Sequence, residues 1–143
     1  MCRFESGPGY MKKLILTAAI CLGSLCVSAQ NILKVRAYFT TEKHIYSDGS
    51  WSDWSPWRDT NILIVIDAVK DRITIYSATT QTYDILTDEG ESLSDRGDKT
   101  RTYVCVDENG ARCSIRFVKR TTTTQIYADF NNIVLCYNIT SIE

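Results

Sequence analysis

All three tryptophans of this 143-residue chain fall in one seven-residue run, Trp51-Ser-Asp-Trp54-Ser-Pro-Trp57. An indole offers a large flat apolar face and a polar N–H at its rim. Trp51, Trp54 and Trp57 at a fixed spacing therefore suit stacking against a sugar or another flat ligand. The competing reading is packing: each ring buries ~150–250 Å², and three of them could plug one end of a β-domain or cover its edge. A spacing of three does not keep to one face of a regular strand, where Trp51 and Trp57 share a parity and Trp54 opposes them. A polyproline-like twist of three residues per turn would align all three. Arg58, next in the chain, can lie over an indole face, an interaction worth ~0.5–1 kcal/mol where exposed.

The run Trp51-Ser-Asp-Trp-Ser55 looks like the WSXWS box of cytokine receptors, and the W-x-x-W-x-x-W spacing resembles thrombospondin type 1 repeats. Each likeness covers only about seven residues. The first family needs a pair of fibronectin-type domains and the second a dense disulfide framework, so neither is implied as a relative.

The remaining reactive side chains are few. The chain has six cysteines and one histidine. Cys105, Cys113 and Cys136 lie in the β-rich part. Glu108-Asn-Gly110 fits a three-residue hairpin loop closed by Gly110 in the left-handed region. That register opposes Asp107 to Ala111 and Cys105 to Cys113, and puts Tyr103, Cys105, Cys113, Ile115 and Phe117 on one face. A two-residue Asn-Gly loop would instead set Cys105 opposite Ser114 and split the cysteines across the sheet. An oxidising compartment allows a Cys105–Cys113 disulfide; the alternative is three buried thiols packed as small hydrophobes. No C-x-x-C occurs, and a lone His44 near an early turn predicts a solvated surface residue, so no metal site, cofactor or catalytic Cys–His pair is expected. Asp67, Asp84 and Asp129 are the right residue type for a two-carboxylate hydrolase, with surface placement the alternative.

Residues 11–29 read as a bacterial secretory signal peptide. Lys12 and Lys13 form the positive n-region, Leu14 to Val27 the apolar stretch, and Val27-Ser-Ala29 the cleavage site before Gln30. The apolar stretch is too short for the ~20 residues that span a bilayer. No small residue precedes Cys21 or Cys26 to make a lipoprotein anchor. Residues 1–10 read as a mis-assigned start. The expected product is an exported, soluble domain of residues 30–143, periplasmic or extracellular. Removing Arg3, Lys12, Lys13 and Glu5 with the leader takes the formal net charge from −1 to −3. That balance lacks the basic stripe of a nucleic-acid binder.

Period-2 alternation runs through the remainder: Leu33, Val35, Ala37 and Phe39; Ile73 and Ile75; Tyr83 and Ile85; Cys113, Ile115 and Phe117. Residues 61–67 are apolar on both faces and should sit centrally or be covered. Short polar turns fall at 68–71, 78–81, 107–110, 119–124 and 130–132. Residues 87–100 (TDEGESLSDRGDKT) read as a flexible acidic loop; Asp88, Glu89 and Glu91 do not keep calcium-loop spacing. The expected fold is all-β: a single antiparallel meander of about eight to ten short strands, closed into a small barrel or curved sandwich. In architecture it resembles the calycins, the lipocalins and fatty-acid-binding proteins, although the lipocalin G-x-W signature is absent from its first strand, Leu33-Lys-Val-Arg-Ala-Tyr-Phe39. A cavity in such a barrel would be walled by Val35, Ala37, Phe39, Ile73, Ile75, Tyr83, Ile85, Tyr103, Ile115 and Phe117. The expected function is therefore a non-enzymatic exported module, binding a small apolar ligand or a surface partner, with Trp51, Trp54, Trp57, Tyr83 and Tyr103 as candidate ligand residues. The alternatives are an envelope enzyme or inhibitor acting through loops, or carbohydrate binding through the tryptophans.

Overall fold

A computed structural model describes residues 31–142; the leader, its cleavage site and the start-codon reading lie outside them. Eight strands follow one another: β1 (Ile32–His44), β2 (Arg58–Asp67), β3 (Arg72–Tyr76), β4 (Thr80–Leu93), β5 (Lys99–Asp107), β6 (Arg112–Lys119), β7 (Thr124–Asp129) and β8 (Ile133–Ile142). Each pairs antiparallel with the next, and β8 closes onto β1. The expected meander is thus a closed eight-stranded barrel, consistent with calycin-like architecture. Ile62, Ile64 and Ile66 of β2 face the core, and among the described residues no strand is left at an edge.

An eight-stranded barrel is just wide enough for side chains to fill. One contiguous cluster occupies this interior, including Val35, Ala37, Ile64, Ile73, Ile75, Tyr83, Ile85, Tyr103, Ile115, Phe117 and Ile126. Nine of the ten expected wall residues belong to it. Phe39 does not; it stands 44% exposed on the outer wall. The cause is a bulge. Ala37 faces Ile139 of β8 while Phe39 faces Asn138, so β1 carries one extra residue at Tyr38. One extra residue flips every later side chain to the other face. Thr41 and Lys43 therefore point outward and face Cys136 and Val134, which belong to a second, smaller apolar cluster with Val118 and Tyr127 on the outside of the barrel.

The 87–100 stretch is a correction. It is not a flexible loop: β4 runs on to Leu93 and β5 starts at Lys99, around a three-residue turn. Three turns of the protein share one geometry. The N–H groups of Tyr46, Ser94 and Asp107 bond the carbonyls of Ser50, Asp98 and Ala111, at 2.7, 2.9 and 2.9 Å. In each, the third loop residue is a glycine with positive φ: Gly49, Gly97 and Gly110. The 108–110 turn has the expected register, with Cys105 directly opposite Cys113.

The structure shows no disulfide between Cys105 and Cys113. Cys105, Cys113 and Cys136 are free, buried thiols. Counted from the Asp107–Ala111 bond, Cys105 and Cys113 occupy a hydrogen-bonded position of the ladder, where facing side chains stand farther apart than at the alternate position. Burial pushes the Cys105 thiol up to about 12, with Cys113 adding to the effect, and pushes Cys113 and Cys136 up to about 11. Since the thiolate is the reactive species, all three behave as small core residues.

Candidate functional site: an aromatic ladder on the outer wall

β2 pairs with β1 only as far as Thr40–Arg58. Beyond Thr40 that edge of β1 meets the 51–57 arm instead. The arm returns from the 46–50 turn, where Ile45 bridges Trp51, and spends two residues more than the part of β1 it faces. The surplus is absorbed at the two serines. Ser52 donates its N–H to the His44 carbonyl (2.8 Å), and its Oγ accepts the His44 N–H (3.0 Å). Ser55 donates to the Glu42 carbonyl (2.8 Å), and its Oγ accepts the Glu42 N–H (3.1 Å). Each hydroxyl stands where a strand carbonyl would be. The arm thus advances three residues for every two of β1.

That ratio aligns the indoles. A period of three on the arm meets the period of two on β1, so Trp51, Trp54 and Trp57 interleave with its outward side chains. The Lys43 ammonium lies 5.4 Å from the centre of the Trp51 ring and 5.0 Å from that of Trp54. Thr41 lies between Trp54 and Trp57, in a cavity of about 180 Å³ floored by Tyr127 and Cys136. Trp54 is edge-on to Tyr127 at 6.2 Å. Thr41 is itself pinned, with its Oγ1 donating to the Ser55 carbonyl at 2.5 Å. The partner of the indoles is Lys43, whereas Arg58 turns to Glu42 (3.3 Å) and Ser55. At two residues of β1 per step, the rings repeat about every 7 Å.

The indoles remain 40–48% exposed. Seven phenylalanine, tyrosine and tryptophan side chains are exposed among the described residues. Six of them, Tyr38, Phe39, Tyr46, Trp51, Trp54 and Trp57, lie on β1, the 46–50 turn or the arm that returns along it. Tyr76 is the seventh.

Behind the ladder the wall is tied together by side chains. Arg120 donates to Asp98 (2.8 Å), Gln125 (2.7 Å) and Tyr127 (3.0 Å). Gln125 in turn donates to Asn138 (2.8 Å). The Arg116 guanidinium is paired with Asp129 and lies 4.3 Å over the Tyr127 ring.

The five candidate ligand residues do not form one site. Tyr83 and Tyr103 are core residues, 2% and 0% exposed, on the opposite side of the sheet from the tryptophans. The Tyr83 hydroxyl donates to Gln81 (2.5 Å), and Arg101 bonds that of Tyr103. Sequence parity put these tyrosines inside correctly. It missed Lys43 and Phe39, because the bulge that turns them outward carries no glycine or proline mark. The remaining candidates have other partners: His44 is exposed and edge-on to Tyr46, and Asp67 and Asp84 flank Arg72 across β3, Asp67 capping the 68–71 turn through the Val69 and Lys70 N–H groups and Asp84 pairing with Arg72 at 2.8 Å. Comparison with protein-family models, with curated proteins and with solved structures finds no match to this chain.

Proposed function

We propose that the protein is an exported, non-catalytic carbohydrate-binding module, and that it takes its ligand on the outer wall of the barrel. The observation that carries this reading is the ladder: three half-exposed indoles held in a fixed row by Ser52, Ser55 and Lys43. Leaving large apolar faces in water is costly, and holding them rigid in advance lowers the entropy lost on binding. Sugar rings present an apolar C–H face and a rim of hydroxyls, matching an indole face beside polar groups. The packed interior supports the same choice, since its tyrosine hydroxyls already have protein partners.

Tryptophan fluorescence of the mature protein, titrated with a panel of neutral cello-, chito- and malto-oligosaccharides, tests it. At least one series should shift the emission with saturable binding, and Trp54→Ala should abolish that binding while Tyr76→Ala leaves it intact. A flat response to every series, or unchanged binding by Trp54→Ala, would overturn the reading.

A further inference from the structure

The ladder does not end at Trp57. Outward residues of β1 continue past Thr41 to Phe39 and Tyr38, which are 44% and 43% exposed. They open a second hollow, of about 390 Å³, between β1, β8 and the 119–124 turn. It adjoins the hollow beneath Trp54 and Trp57: Phe39 precedes Thr41 by two residues, and its partner Asn138 follows Cys136 by two, all on the same outer face. The two hollows and the Lys43 clasp together follow β1 from Ile45 to Tyr38, roughly 23 Å at about 3.3 Å per residue.

We infer that this is one continuous track for an extended, uncharged glycan chain, with Tyr38 and Phe39 forming its distal subsite. The inference rests on the carbohydrate reading above and deepens it. Three observations favour that occupant. The bulge at Tyr38 is what turns Phe39 outward beside Tyr38, and bulges recur where a side chain must be redirected. Beside Lys119 and Arg120 of the turn, the polar groups around the rings are mostly hydroxyls and an amide, among them those of Thr121, Thr140 and Asn138, and the amide is fixed by its bond from Gln125. The arginines along the wall are already neutralised: Arg58 by Glu42, Arg116 by Asp129 and Arg120 by Asp98. A neutral, hydroxyl-rich chain fits such a lining better than an anionic polymer.

The consequence is a dependence on chain length. Isothermal titration with disaccharide through hexasaccharide members of the binding series should give affinity that rises at least about tenfold with length, since two further aromatic contacts come into play. In Tyr38→Ala/Phe39→Ala, the disaccharide should bind as before and the gain with length should vanish. Both side chains are exposed, so folding is retained, which the thermal midpoint checks. An equal gain with length in wild type and double variant would overturn the distal subsite while leaving the tryptophan reading intact. Absence of all binding would overturn both.

Discussion

At the scale of single residues, the two serines of the tryptophan run matter as much as the rings. Ser55 Oγ accepts the Glu42 N–H and lies 3.0 Å from Thr41 Oγ1. Ser55→Ala leaves that N–H without its partner and should cost about 1–2 kcal/mol, read as a lower urea midpoint with unchanged slope. Trp54 should become more mobile, with a red-shifted emission. The thiols give a second prediction. The folded protein holds the protons of Cys105, Cys113 and Cys136 more tightly than the unfolded chain does. Their stabilisation is complete below the ordinary thiol value of 9.0 and is lost as pH rises through about 11 to 12. Buried Tyr83 and Tyr103 act in the same direction, since burial raises both. Stability should therefore fall with increasing pH above about 9, and a thiol reagent at pH 8 should modify none of the three cysteines until the protein is unfolded.

At the scale of elements, one turn type recurs three times, and its glycines are specific in their demand. Gly97 and Gly110 have φ of 86° and 85° with open space where a Cβ would go. Substitution by alanine therefore costs only the left-handed backbone, about 1–2 kcal/mol at each site, measurable by thermal unfolding. This geometry was legible at Glu108-Asn-Gly110 because apolar alternation flanks it on both sides. It was not legible at Asp95-Arg-Gly97, because β4 passes through Glu89, Gly90 and Glu91 on the way and shows no alternation. The chain there is held by cross-strand pairing and by the Asp88–Arg101 ion pair, whose side chains are 10% and 14% exposed. Such long-range support leaves little mark on a local stretch of sequence. The tryptophan ladder was half legible in the same way. The spacing of three was visible, along with the twist that would align the rings. The partner was not, since Lys43 reaches the outer face only through the bulge five residues earlier.

At the scale of the whole molecule, the barrel presents two surfaces with different roles. The inner one is a continuous packed core that ends, near Tyr103, in the Asp88–Arg101 pair. Asp88→Asn strands a mostly buried guanidinium and should cost roughly 3 kcal/mol; Asp88→Asn with Arg101→Met should recover most of it. The outer surface is asymmetric, with nearly all of its exposed aromatic side chains gathered along β1. That asymmetry underlies the central claim, that the ligand is met on the outer wall and not inside the barrel. The most direct measurement is a 1H–15N NMR titration of the protein with the hexasaccharide that binds best in the fluorescence panel. The account predicts that the indole N–H signals of Trp51, Trp54 and Trp57 move, together with amides of β1 between Tyr38 and His44, while those of the inward-facing Ile73, Ile75 and Ile115 stay in place. Stationary indole signals, or shifts concentrated on those inward residues, would contradict it.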